Sequence, residues 1–278
     1  MLIRVGFSAD PDDAFMFWGL ASGTVDPRGF EFEPVIEDIQ TLNELSLEGK
    51  LEVTAISLAT YPLVQDRYLL LPHGASMGEG YGPIVVARER LSLDQLRDEE
   101  IVVPGTLTTA YLVLKMALGP ELRVRALPFD QILPEVASGA ARVGLLIHEG
   151  QLTYQSAGLH KLLDLGEWWH AKTGLPLPLG GNCVRKDLGP TAMQEVTDII
   201  KRSIVFSLQH RAEAVDYALQ FGRDLDRPLA DRFVGMYVND WTVDYGPRGR
   251  EAISRLLHEG AEAGLVPAIG QVQSVTAR

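Results

Sequence analysis

Short apolar runs of strand length in this chain repeatedly end in small polar residues that open a helix, and this alternation restricts the fold more than any other feature. The first instance is Leu2–Phe7, which passes through Ser8-Ala9-Asp10 into a helix predicted over Pro11–Leu20. Pro11 suits the first helical turn, Asp10 can cap it, and Asp13 occupies the N3 position. Strand signals follow at Phe30–Val35, Val53–Ser57 and Tyr68–Leu71, with helical segments over Ile39–Leu47 and Tyr61–Arg67. Such a pattern builds an α/β fold, in which ligand-binding loops gather at the carboxyl ends of the strands.

A second α/β unit is expected from near Ala87. Ile101–Val103 leads through Pro104-Gly105-Thr106-Leu107-Thr108-Thr109 into an apolar helix, Arg123–Ala126 precedes a helix over Asp130–Ser138, and the strand Val143–Ile147 ends at His148-Glu149. Beyond Pro190 the chain reads as helical, with segments to His210 and over Ala212–Phe221, Pro228–Tyr237 and Gly249–Ala263. The expected organisation is two-lobed, with a ligand cleft between the lobes. The first lobe takes residues 1–88, the second 89–179, and residues 180–278 return to the first. The glycine-rich segment His73–Gly82 lacks the spacing of a phosphate loop and reads as a strand connection.

Charge and composition narrow the function. With 25 Lys and Arg against 37 Asp and Glu, the net charge of −12 argues against a nucleic-acid partner. A small anionic molecule bound by a local donor cluster remains compatible with it. The opening reaches acidic residues too soon for a secretory signal, and no apolar run is long enough for a bilayer. With a single cysteine, Cys183, there is no disulfide framework, and a cytoplasmic location without membrane insertion is expected.

Three polar segments stand at predicted strand ends: Ser8 to Asp13, Pro104 to Thr109, and Ile147 to Glu149. Thr108 and Thr109 flank the open amides of a helix start, an arrangement that serves either capping or the binding of a carboxylate. Ser57 can add a donor from the other lobe. His148, at the end of a buried strand, reads either as a satisfied hydrogen-bonding residue between lobes or as a general base. Glu149 need not pair with it, because neighbours on a continuing strand point apart. Asp12 and Asp13 are accounted for by their helix-start positions. Trp168 and Trp169 can cover an aromatic ligand or simply pack. Neither a zinc-ligand spacing nor a dinucleotide fingerprint is present, so nothing in the spacing supports zinc or a dinucleotide cofactor.

The ordered segments SADPDDAFMFWGL, PGTLTTAY, FDQILPEV, GLLIHEGQLTY, LLDLGEWW and TGLPLPLG, continued by KRSIVFSL and YVNDWTVDYG, resemble the 1,4-dihydroxy-6-naphthoate synthase family of the futalosine route to menaquinone. The resemblance implies a type II periplasmic-binding-protein-like fold used as an enzyme, and return of the carboxyl-terminal helices to the first lobe. It implies conversion of cyclic dehypoxanthine futalosine to 1,4-dihydroxy-6-naphthoate without a cofactor, and it is compatible with a homodimer. It assigns His148 as the catalytic histidine, Ser57 as a ligand contact, Thr108 and Thr109 as the hydroxyl-rich helix start, and Gly105 as the point of close approach. Asp13 remains as a first-loop contact, while Asp12 stands where the family usually has asparagine. The alternatives are a chorismate dehydratase, on the same scaffold, and a non-catalytic binder of small anions.

Overall fold

A computed structural model describes residues 1–8, 10–221 and 225–276. Ala9 of the first loop and the last two residues of the carboxyl-terminal part lie outside the described residues.

The strands are β1 (Leu2–Ser8), β2 (Glu31–Glu37), β3 (Val53–Ser57), β4 (Tyr68–Leu70), β5 (Ser76–Gly78), β6 (Ile84–Ala87), β7 (Glu100–Val103), β8 (Arg123–Ala126), β9 (Val143–Leu146), β10 (His160–Asp164) and β11 (Leu177–Arg185). They form two sheets. The first has the order β2-β1-β3-β11-β4, with β5 also paired to β11; the second has the order β10-β6-β9-β7-β8. Thus the chain enters the second sheet at β6 and leaves it after β10. Within the first sheet β1 runs parallel to β2 and β3, and within the second β7 runs parallel to β8 and β9, as the strand–helix alternation predicts. The antiparallel strands β6, β10 and β11 complete the sheets.

Burial follows position in the sheets. Every residue of β3, β6 and β9 is buried, whereas β2 and β8 at the edges are largely exposed and charged. Pro34 is tolerated because β2 has a free edge, where a missing amide hydrogen interrupts no ladder on the outer side. β11 forms although its sequence is rich in Pro and Gly, which carry little strand signal. Gly180 and Gly181 pair with Ser57 and Ile56, so backbone ladders on both sides hold a strand that its side chains do not announce.

β11 also explains why the final helices pack on the first sheet. The helix Pro11–Ala21 buries Phe15, Met16 and Phe17 in a core shared with Val196, Ile200 and Val234 from the carboxyl-terminal region. Ser203 of the helix Gly189–Gln209 sets the crossing: a Cβ on Gly19 would lie 2.9 Å from its Cα, so only glycine permits this approach without a shift. The Ser203 hydroxyl donates to the Met16 carbonyl at 2.9 Å and accepts from the Leu20 amide at 3.1 Å. No described helix is long and apolar enough to cross a membrane.

Candidate active site

The carboxyl ends of β1, β3 and β9 and the start of the helix Thr109–Leu118 meet at one cavity between the sheets, with an empty volume of about 680 Å³ counting its open mouth. That size suits a small organic ligand. Ser57, Asp13, Thr108, Thr109 and His148 all line it, so the structure brings five of the six sequence-predicted site residues together. Gly105 does not line it. Its φ of 149° lies in the glycine-favouring region, and a Cβ would meet Gln40 Oε1 at 2.2 Å. The close approach that requires Gly105 is therefore that of Gln40, which accepts from the Leu107 amide at 3.1 Å.

Ser57 is fixed by a residue with no obvious sequence signal. Asn43 donates to the Ser57 hydroxyl at 3.1 Å and accepts from the Ser57 amide at 2.8 Å, both within buried surroundings. The Ser57 hydroxyl, acting as acceptor toward Asn43, keeps its own hydrogen for another acceptor.

The two threonines spend their hydroxyls differently from expectation. Thr108 caps its helix, accepting from the Tyr111 amide at 3.2 Å and donating to the Gly105 carbonyl at 2.9 Å. Thr109 donates to the Leu179 carbonyl at 2.6 Å and accepts from the Ala59 amide at 3.1 Å, pinning β11 and the segment after β3 to this helix. Each hydroxyl hydrogen is thus committed to protein. The donors left for a ligand are the amides of Thr109 and Ala110, which have no acceptor within the helix because they belong to its first turn.

The opposite wall is acidic. Asp13 accepts from both the amide and the hydroxyl of Ser8, each at 2.8 Å, and so ties the end of β1 to the helix start. Burial nevertheless raises its pKa, outweighing those bonds and the nearby His148. Asp12 accepts from the Ser76 hydroxyl at 3.1 Å through one oxygen, while its Oδ1 is buried without a hydrogen-bond partner. Burial, reinforced by the charges of Asp13 and Asp10, pushes the Asp12 carboxyl up to about 7. Asp10 occupies the N-cap position but makes no side-chain capping bond; its Oδ2 lies 3.2 Å from His148 Nε2. The expected cap is therefore replaced by a contact with the histidine.

β9 ends at Leu146, two residues before His148, so the strand does not extend to the histidine as the sequence suggested. His148 sits in a turn with φ of 53°, a backbone conformation that costs a non-glycine residue on the order of 1–3 kcal/mol. The Phe129 ring meets its imidazole edge to face, with centroids 4.8 Å apart. Two further lining residues escaped sequence reasoning: Tyr237 donates to Gln151 Oε1 at 2.8 Å, joining the carboxyl-terminal helices to the turn after β9. Trp168 and Trp169 do not line this cavity; Trp169 is buried and donates to the Pro176 carbonyl at 3.0 Å. Among the described residues no group of three or more His, Cys, Asp or Glu could hold a metal ion.

Two mixed sheets enclosing a cleft at their strand ends define the periplasmic-binding-protein fold. An alkanesulfonate-binding protein from Xanthomonas axonopodis pv. citri shares it, with a TM-score of 0.72 over 98% of this chain and 96% of that one at 11% identity. Residues 3–262 match the family described as menaquinone biosynthesis, and the chain belongs to that family. A curated relative from Thermus thermophilus, named 1,4-dihydroxy-6-naphthoate synthase, is 41% identical over 95% of each chain. Another with the same name from Streptomyces coelicolor is 36% identical over 96% of each. A crystal structure of a protein from Archaeoglobus fulgidus superimposes with a TM-score of 0.90 at 45% identity, covering 95% of this chain and 98% of that one.

Proposed function

We propose that this chain converts cyclic dehypoxanthine futalosine to 1,4-dihydroxy-6-naphthoate, with His148 as the base that starts eliminative ring opening and carbon–carbon cleavage. The observation that carries the reading is one cavity with a histidine on one wall and the open amides of a helix start nearby, in a chain belonging to the menaquinone-biosynthesis family. The substrate carboxylate lies against the Thr109 and Ala110 amides, where the helix dipole favours negative charge. Ser57, oriented by Asn43, donates to a second substrate oxygen. Above about pH 7, where Asp12 is ionised, the acidic wall of the first helix disfavours the anionic end of the substrate, which orients the molecule along the cleft.

Closure of the lobes brings these groups together and excludes water, so that a charge forming on the substrate meets fixed donors instead of reorganising solvent. The lobes in question are the two sheets with their helices, joined where the chain passes from β5 to β6 and into β11. The same reading places the enzyme in the cytoplasm.

The test is a mass-resolved assay with cyclic dehypoxanthine futalosine and, in parallel, chorismate. The wild-type chain is expected to yield 1,4-dihydroxy-6-naphthoate from the first and nothing from the second. His148→Ala, if folded, is expected to lose roughly 100-fold or more in kcat, the usual contribution of a general base. Full turnover by that variant would remove His148 from the role. Binding without conversion by the wild-type chain would make the protein a binder, and turnover of chorismate would assign it to the dehydratase class.

A further inference from the structure

We propose that Asp10 is the positioning residue of His148, and that the two form a carboxylate–imidazole pair assembled across the cleft. This rests on the reading of His148 as the base. Asp10 stands in the loop after β1 of the first sheet, and His148 in the turn after β9 of the second. Their facing atoms, Asp10 Oδ2 and His148 Nε2, are 3.2 Å apart, with the Asp10 side chain only 2% exposed. A helix N-cap aspartate ordinarily turns its carboxylate onto the amides of the first turn, and Asp10 forgoes that. On the remaining sides the imidazole meets the Phe129 ring, and the carboxylates of Asp12 and Asp13 are close enough to sense its charge.

The geometry assigns the two ring nitrogens. Nε2 is the ring nitrogen that faces Asp10, at 3.2 Å, so the tautomer this pairing selects carries its hydrogen on Nε2 and leaves the lone pair on Nδ1. When the substrate carbon–hydrogen bond breaks, its electron pair remains with the substrate, and the proton forms an N–H bond at Nδ1. The resulting imidazolium carries a hydrogen on each nitrogen, with the charge balanced by Asp10. A separation of 3.2 Å lies within hydrogen-bonding reach of a site that tightens around its substrate. Because the partners stand on opposite sheets, an open cleft separates them. Base orientation is thereby coupled to closure.

The experiment combines kinetics with nitrogen-15 spectra of the histidine-labelled protein. In the wild-type chain at alkaline pH, neutral His148 is expected as the Nε2–H tautomer. Asp10→Asn is expected to lower kcat roughly 10- to 100-fold with little change in KM, and to mix the tautomers; Asp10→Glu is expected to recover part of the loss. An Nδ1–H tautomer in the wild-type chain would overturn the proposal, and that spectrum decides it even if the variants fail to fold. So would Asp10→Asn with normal kcat, or with a raised KM alone, which would make Asp10 a substrate contact. His148→Gln separates this proposal from the one beneath it: an inactive His148→Gln beside a fully active Asp10→Asn rejects only the pair, whereas an active His148→Gln rejects the base itself.

Discussion

The two helix starts that border the cavity have the same origin and opposite character. Each follows a strand that is parallel to its neighbours, and each aims the positive end of a helix dipole toward the cleft. The helix Pro11–Ala21 fills its first turn with Asp12 and Asp13 behind the N-cap Asp10, all three nearly buried. The helix Thr109–Leu118 has no acidic residue in its first turn, and its threonine hydroxyls are consumed by protein contacts. A helix N-terminus is therefore not an anion site in itself. At the first, the protein's own carboxylates answer the dipole; at the second, the open amides leave that place to a ligand. Having both on one cavity gives the cleft a polarity.

Placing a carboxylate at the neutral start should erase that polarity. Thr108→Asp still accepts from the N3 amide but loses the donation to the Gly105 carbonyl, so Thr108→Asn, whose amide can both accept and donate, is the uncharged control that isolates charge. A ligand carboxylate about 4–5 Å from the new charge would be repelled by roughly 3–4 kcal/mol at an effective dielectric near 20. Titration with 1,4-dihydroxy-6-naphthoate should show affinity lower by about a hundredfold or more, with its neutral methyl ester much less affected. Equal affinity for the acid in both proteins would place the carboxylate somewhere other than this helix.

The acidic start makes a different prediction, about stability and pH. The folded-state pKa of Asp12 is raised to about 7, whereas in the unfolded chain it has the ordinary carboxylate value of about 4. Between those values the folded chain holds a proton that the unfolded chain has lost, so stability falls as pH rises through this window and levels off above about 7. Asp13, raised for the same reason of burial, adds to the slope in the same direction. Urea unfolding at pH 5 and pH 8 should show the wild-type protein less stable at the higher pH, by an amount on the order of a few kcal/mol. Asp12→Asn should make this difference smaller, leaving the part that Asp13 contributes. An unchanged slope in the variant would mean that Asp12 does not bind its proton in the folded state.

How much of this was legible in the sequence depends on the range of the interactions. The strand–polar loop–helix units around Ser8 and Thr108, and the buried strand that precedes His148, were readable because caps, apolar runs and turns act over a few residues. The assignment of Asp10 as a cap failed because its partner, His148, is far along the chain, and a longer-range contact displaced a local one. β11 was hidden for a related reason: paired on both sides, it is held by backbone ladders, and its Pro and Gly carry no strand signal. Asn43 left a trace that could have been followed. It shares the buried face of its helix with Leu42 and Ser46, and a polar residue on an inward stripe needs a partner, here Ser57. Gln40 and Gly105 could not have been matched from sequence, since only the fold makes them neighbours.

The contact between Tyr237 and Gln151 offers the smallest test of the same comparison, because it joins the two sides of the cleft without charge. Tyr237 belongs to the helix Arg227–Tyr237, which packs with the first sheet, and Gln151 to the short helix Gly150–Thr153 that follows the turn carrying His148. Burial pushes the Tyr237 phenol above its ordinary range, so it stays a neutral donor throughout the working pH of the site. Tyr237→Phe removes one neutral hydrogen bond, worth about 0.5–1.5 kcal/mol, and leaves the aromatic packing against Phe233 and Tyr81 in place. If the bond forms only when the lobes are together, the loss appears in substrate affinity, with KM raised a few-fold and kcat little changed. A fall in thermal stability with no change in KM would show instead that the bond persists in the open cleft and does not respond to closure.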